Sequence, residues 1–468
     1  MTEHHARRER SPGIKLLFAA LIGLALMIPQ LLVYALVYDR QDQSSTAQAS
    51  INAGWGGQQI VAGPVLVVPY PAIETQNETV GGKTVTRSVE VERELFVSPV
   101  TNTVDTVIVP QERNKSIYRA VLFEAQVKGR ATFALPADLP RFGVPAEKLE
   151  WERAELRMGA SDARGLTRGG RIVANGRPLA VEPGKGLGAA GNQGFFAFVP
   201  WQGEGQLEVD YAFGLRGSGS FSLVPRGGQT RWAVSSTWPS PSFGGDFLPE
   251  TSKVSDSGFN ASYTVDKLAL GQPSVSTADQ TAPLVSTGGI YRPGSEGGGA
   301  QAQVLSVGLV EPVDLYAKVD RAVKYGFLFI GFTFLAYLLF DIVGGASVAP
   351  AEYLLTGAGL VLFFVLLLAF AEVIGFTGAY LLASAAIIGL LTAYSAAVLK
   401  SWRRAGFMGA LLVGLYAVLF VLLNLEALSL LIGSALLFIA LAGVMYATRR
   451  IDWSAVGSAR TRAAGAAS

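Results

Sequence analysis

The sequence contains no cysteine. Disulfides, thiolate nucleophiles, iron–sulfur clusters and cysteine-ligated zinc are therefore excluded. Histidine is almost absent too: His4 and His5 are the only two, in a polar N-terminal stretch. A Ser-His-Asp hydrolase or a His-ligated metal centre needs a histidine in the folded part, and none is there. None of the eleven lysines has a serine three residues before it, so the S-x-x-K nucleophile pattern is missing as well. Charge is scarce. Only 16% of the 468 residues are charged and 50% are hydrophobic, whereas soluble domains carry about 25% charged residues. Mean hydropathy is +0.36, which points to a membrane protein.

The shortage of charge is local. Residues 39–320 hold 25 Lys/Arg and 29 Asp/Glu, a net of −4, while residues 325–448 hold only seven charged side chains. The overall +2 is thus an acidic polar domain plus basic edges on membrane segments. A nucleic-acid protein would need a basic patch on its folded domain, so nucleic acid is not an expected partner.

The first apolar run follows Arg7, Arg8, Arg10 and Lys15 and extends from about Leu16 to Tyr38. It exceeds the 7–15-residue core of a secretory signal. The one A-x-A-like site, Ala47-Gln48-Ala49, lies well past Asp39. The run reads as an uncleaved anchor over 14–38, after a cytoplasmic tail at 1–13. Pro29 falls mid-segment, where membrane helices tolerate a kink. Five further runs fall at about 325–343, 354–374, 379–399, 406–424 and 427–447, each near the roughly 20 residues that span a bilayer. Short connections make them an up-and-down five-helix bundle, followed by a tail at 449–468. Six spans put both termini on one side. Eleven Lys/Arg flank the terminal side, from Arg7 to Arg462, against Arg40, Lys318, Arg321 and Lys324 opposite. The positive-inside rule then makes both termini cytoplasmic and 39–324 extracytoplasmic, or periplasmic in a bacterium.

That outer domain is long enough for its own core. Val65-Leu66-Val67-Val68 reads as a short strand ended by Pro69. Ser88–Val97, Ser116–Phe133, Phe195–Val199, Leu207–Phe213 and Arg231–Ser235 also read as strands between Gly, Pro and Asp turns. The expected architecture is mainly antiparallel β, sandwich-like. Residues 271–303 contain Gly297-Gly298-Gly299 and read as a mobile loop. Gly186-Leu187-Gly188-Ala189-Ala190-Gly191 matches G-x-G-x-x-G, but no helix follows it to receive a pyrophosphate, so a turn is expected. Gly82-Lys83-Thr84 lacks the first glycine of a phosphate loop, since position 77 is Asn.

Two groups of candidates remain. One is the turn Trp238–Pro249, where Trp238, Phe243 and Asp246 either contact an envelope component or plug the β core. The other is the set of bundle acids Asp341, Glu372 and Glu426, with Glu372 able to reach Tyr380 across Gly375–Gly378, or the Asn424–Glu426 hairpin on the same outer edge. An acid in a membrane span usually faces the bundle interior or water. Residues 379–399 are rich in Ala, Gly and Ser, and Ala385 with Gly389 suggests close packing at the bundle centre. No catalytic, cofactor-binding or metal-binding residue is expected.

Several blocks in order resemble the CreD family of bacterial inner-membrane proteins. They are Gly63-Pro64-Val65-Leu66-Val67-Val68-Pro69-Tyr70, Ser161-Asp162-Ala163-Arg164-Gly165, the Trp238–Pro249 turn, Pro312-Val313-Asp314-Leu315-Tyr316, Arg321-Ala322-Val323-Lys324-Tyr325, Leu366-Leu367-Leu368 and the stretch Glu372–Leu382. Asp341 stands where the family pattern has Glu, and Val373 where it often has His. The resemblance covers nearly the whole chain and implies an anchor, a periplasmic domain and a five-helix bundle. It also implies a role in cell-envelope integrity, often under a two-component system, and transfers no catalytic residue. The expectation is a non-enzymatic protein of the bacterial inner membrane that meets the lipid bilayer and periplasmic or envelope proteins. The alternative is a transporter or membrane-embedded enzyme using the bundle acids.

Overall fold

The computed structural model describes residues 12–80, 83–115, 118–137, 139–167, 170–283, 301–309, 315–342, 348–424 and 429–449. The chain divides into two compact units, Met1–Ser45 with Val313–Ser468 and Thr46–Pro312. The two ends of the sequence thus build one unit, and the second is inserted between them. Seven α-helices are described: α1 (Pro12–Trp55), α2 (Lys267–Leu270), α3 (Leu315–Lys324), α4 (Gly326–Ile342), α5 (Pro350–Val398), α6 (Trp402–Asn424) and α7 (Ser429–Thr448).

Among the described residues, four stretches are long and apolar enough to cross a membrane: Ile14–Trp55, Leu315–Asp341, Pro350–Val398 and Trp402–Asn424. Gly433–Gly443, within α7, is a shorter apolar helix. This corrects the expectation of an anchor plus five separate spans. The segments expected at 354–374 and 379–399 are two arms of α5, which bends at Gly375, where φ is 77° and ψ 165°. Only glycine takes that conformation without a Cβ penalty. The arms fold back on each other. The rings of Phe363 and Tyr380 lie 5.5 Å apart, whereas 17 residues of straight helix would separate them by about 25 Å.

Close packing comes from glycines other than Gly389. A Cβ at Gly359 would lie 2.9 Å from Leu391, and one at Gly409 2.8 Å from the Thr392 hydroxyl. A Cβ at Gly357 would collide with Leu26 of α1. Gly389 has nothing within 4 Å, and Ala385 is exposed. The Ala385–Gly389 face of the second arm therefore points outward. The arm's inward face is Ala379, Ala383, Ile387, Leu391 and Ser395. Residue size alone marked Ala385 and Gly389; which face meets a neighbour depends on how α5 is folded.

The inserted unit is a β-sandwich. One sheet runs in the order Pro241–Gly245, Leu305–Leu309, Ser220–Val224, Gln59–Val80, Glu155–Ala160, Gly194–Phe198, Glu182–Pro183, with Lys83–Val97 paired to Gln59–Val80 and Val275–Ser276 paired to Lys83–Val97. The other runs Thr251–Ser255, Gly258–Asp266, Gln229–Ser236, Thr101–Lys115, Tyr118–Phe133, Leu207–Ser218, Arg171–Ala174, Arg177–Leu179. Pairing is mostly antiparallel. Two pairs are parallel: Gln59–Ala62 with Phe221–Val224, and Thr101–Ile108 with Gln229–Ser236. Phe221 of the first sheet packs 6.0 Å from Trp232 and 6.3 Å from Phe123 of the second. Trp232 stacks on Tyr263 at 5.0 Å and donates its indole N–H to Thr106 at 2.9 Å. Alternation along each strand builds this core, as in Leu207, Val209, Tyr211 and Phe213.

The strand through Val65–Val68 does not stop at Pro69. It continues to Val80 against Lys83–Val97, with Pro69 opposite Glu94 and Pro71 opposite Glu92. Its other side pairs with Glu155–Ala160 only as far as Val67. Beyond that point no described strand pairs with that edge, where the Glu150 N–H donates to the Pro69 carbonyl at 2.9 Å, so prolines cost no ladder hydrogen bond there. Within 271–303, both ends are built into the sandwich. Val275–Ser276 pairs with Phe96 and Val97, and Thr281 bridges Gln301; residues 284–300 lie outside the described residues.

Candidate functional site

The bundle acids are engaged by neighbouring groups. Asp341, in the last turn of α4, accepts from the Lys15 ammonium of α1 at 2.7 Å; its side chain is 1% exposed and that of Lys15 22%. Each charge sits at the unfavourable end of its own helix dipole, Lys15 in a first turn and Asp341 in a last one. Pairing relieves both. The sequence showed no cation mid-span, and Lys15 lies 326 residues away in the chain, so only folding brings the two together.

Glu372 precedes the Gly375 bend. It accepts a hydrogen bond from the Tyr316 hydroxyl of α3 at 3.2 Å, and Arg40 of α1 comes to 4.0 Å. Lys318, half a turn along α3 from Tyr316, donates to Asn424 at 3.1 Å and lies 5.2 Å from the Phe376 ring centre. The bend of α5, α3 and the end of α6 thus meet in one polar cluster. Tyr380 does not join it. Its hydroxyl donates instead to the Tyr416 carbonyl at 2.6 Å, among Phe363, Phe376 and Phe420. The expected Glu372–Tyr380 contact is therefore corrected: past the bend, Tyr380 turns into the aromatic interior. Glu426 lies outside the described residues. The remaining bundle acid, Glu352, accepts the Ala349 N–H at 2.6 Å and ties down the start of α5.

In the sandwich, Trp238 is buried and Phe243 packs 5.8 Å from Phe259. Asp246 accepts the Val304 N–H at 2.7 Å, and its own N–H donates to the Val304 carbonyl at 2.8 Å. All three secure the core and a strand end. Gly186 and Gly188 serve close backbone approach, to Gln193 and Gln280, and the Gly188 N–H donates to Asp279 at 2.6 Å; Gly191 supplies a positive φ of 69°. Asp279 also takes a 2.6 Å ion pair from Arg226, whose side chain is 4% exposed. Burial lowers the proton affinity of that guanidinium, and Asp279 opposes the shift.

The Ser161–Gly165 block, with no purpose legible in the sequence, has one in the fold. Ser161 Oγ accepts from the Ile60 N–H and donates to the Gln58 carbonyl. Asp162 accepts from the Gly57 N–H at 3.1 Å and from Arg164 at 2.8 and 2.9 Å. Arg164 in turn donates to the Ala53 carbonyl at 3.2 Å, among the last carbonyls of α1. Trp55 lies between Arg113 and Arg216, at 4.9 and 4.4 Å. The motif clasps the end of α1 to the sandwich. The Arg164 hydrogen bonds, with the Gly57 N–H, pull the Asp162 pKa down to about 2.

Among the described residues, no group of three or more His, Cys, Asp and Glu is placed to hold a metal ion. A depression of about 670 Å³ lies on the outer face of the second sheet. There Asp105, Lys128, Ala212 and Arg171 form one cross-strand row and Thr103, Arg130, Asp210 and Val173 the next.

Several apolar helices of membrane-spanning length, drawn from both chain ends around an inserted β domain, define a multi-pass membrane protein. The family model described as inner membrane protein CreD matches residues 11–454. The chain is also 33% identical over 448 residues to the inner membrane protein CreD of Escherichia coli (strain K12), covering 94% of this chain and 93% of that protein. The chain belongs to the CreD family.

Proposed function

We propose that this inner-membrane protein supports cell-envelope integrity without catalysing a reaction, its sandwich serving as an extracytoplasmic contact domain and both termini lying in the cytoplasm. The observation that carries this reading is the state of the bundle acids. Asp341, Glu352 and Glu372 are each held by a neighbouring group, which supports a structural role for them. The depression over Lys128 and Arg171 offers the sandwich a polar face for an envelope partner. Glu372 is the residue through which bundle conformation reaches α3, since Tyr316 of α3 donates to it.

Complementation of a deletion strain tests both parts. Loss of the chain should alter sensitivity to detergents or envelope-directed antibiotics. Glu372→Leu should fail to restore resistance at normal protein level, with Glu372→Gln milder, because Gln keeps an acceptor for Tyr316. Full rescue by Leu would remove Glu372 from the mechanism. A purified full chain that turned over a defined substrate at ordinary enzyme rates would sink the non-enzymatic reading. The second reading, a transporter or membrane-embedded enzyme, has one observation on its side: Thr333, Tyr337 and Asp341 are buried along a single face of α4.

A further inference from the structure

We infer that the seam between α4 and the two arms of α5 is a hydrated polar site inside the bundle, with ordered water as its ligand and the Asp341–Lys15 pair at one end. Thr333, Tyr337 and Asp341 recur every fourth residue, so they share one face of α4. Their exposures are 0, 1 and 4%.

The α5 arms supply the opposite wall. The ring of Tyr353, at the start of the first arm, lies 6.0 Å from that of Tyr337. Phe329 lies 6.4 Å from Phe364, so α4 and the first arm run antiparallel. The second arm turns back at Gly375 and runs parallel to α4. Tyr337 Oη meets Ser395 Oγ there at 2.6 Å. One turn back along α4 lies Thr333; Thr392, one turn back on the second arm, has its hydroxyl against Gly409 of α6.

The hydrogen-bond accounting is incomplete in this place. One Asp341 oxygen accepts from Lys15. Among the described residues the other is buried without a partner, as are the hydroxyls of Tyr353 and Thr333. Thr333 and Asp341 stand about two turns apart on α4, and Tyr353 is at the start of α5. A dry unpartnered polar atom opposes folding, and a lipid tail offers it nothing. Water donates and accepts, so it satisfies a carboxylate oxygen and a hydroxyl alike. A bare cation is disfavoured, because the Lys15 ammonium already stands 2.7 Å from the same carboxylate.

The absence of cysteine makes the test clean. Thr333→Cys in the full chain, reconstituted in liposomes, is exposed to a small charged methanethiosulfonate. That reagent travels through water and attacks the thiolate. Ile330→Cys, buried on the same helix, serves as the control. A hydrated seam makes position 333 react about ten-fold faster or more, because a thiolate forms only where water reaches it. A rate equal to the control overturns the inference. Where the cysteine variant fails to assemble, Thr333→Val decides by thermal unfolding. A lower Tm than wild type supports bound water, since its hydrogen bonds are lost. An unchanged or higher Tm means the hydroxyl was dry.

Discussion

Lys15 and Asp341 show how a charge pair can be costly to break without being a source of great stability. Removing one partner leaves the other buried and uncompensated. Asp341→Ala is expected to lower stability by about 3 kcal/mol, the low end for a buried pair, because Lys15 keeps 22% of its side chain exposed. Replacing both, as Lys15→Met with Asp341→Leu, should recover most of that loss. Thermal unfolding of the detergent-solubilised chain measures both. Asp162 carries a pH signature. Its carboxyl falls from the ordinary 3.8 to about 2 in the folded state, so the folded state favours the ionised form. That stabilisation is complete above about pH 4 and is lost as pH falls towards 2. Tryptophan fluorescence melts between pH 5 and 2.5 should show the loss, and Asp162→Asn should flatten the profile in that window. Arg226 is the severe case in the sandwich: Arg226→Ala would strand Asp279 beside the Gly188 turn and should prevent accumulation of folded protein, read as protein level.

At the scale of elements, α5 is the decisive piece. A 49-residue apolar helix would be about 74 Å long if straight, far more than a bilayer's roughly 30 Å. Gly375 resolves the excess by turning it into a hairpin. Gly375→Val should therefore disturb the bundle through its positive φ rather than through crowding, since nothing lies within 4 Å of it. The glycine positions make a sharper pair. Gly357→Leu would drive a side chain into Leu26 of α1 and should lower the yield of folded protein, whereas Gly389→Leu should be tolerated at near wild-type yield. Size-exclusion profiles of the two variants, compared side by side, check the assignment of faces. In the sandwich, the strand through Pro69 and Pro71 makes the same point. Pro69 reads as a terminator in sequence, but an edge without a paired strand removes the penalty.

For the molecule as a whole, the two chain ends assemble one unit and the intervening residues the other. Reporter fusions at Ser50, Ala300 and Ser468 should read outside, outside and inside if the charge bias governs insertion. An inside signal at Ala300 would overturn the orientation and with it the periplasmic contact role. The membrane character and the β domain were legible because hydrophobic run length and strand alternation are local properties of the chain. The family was legible because its blocks recur in order.

Composition and local pattern carry the broad outline. The missing Cys and folded-region His exclude whole chemistries, the apolar runs demand a bilayer, and alternating strands such as Leu207–Phe213 demand a sheet with one buried face. Partnership comes only with the folded chain. Lys15 finds Asp341 across 326 residues, Tyr316 rather than Tyr380 finds Glu372, and Ser161–Gly165 finds the end of α1. Gly357, Gly359 and Gly409, not Gly389, mark the close approaches. The physical reason is that a residue's type sets what it needs, a counter-charge, a donor or a gap. Which neighbour meets that need depends on distances that arise only once distant segments pack together.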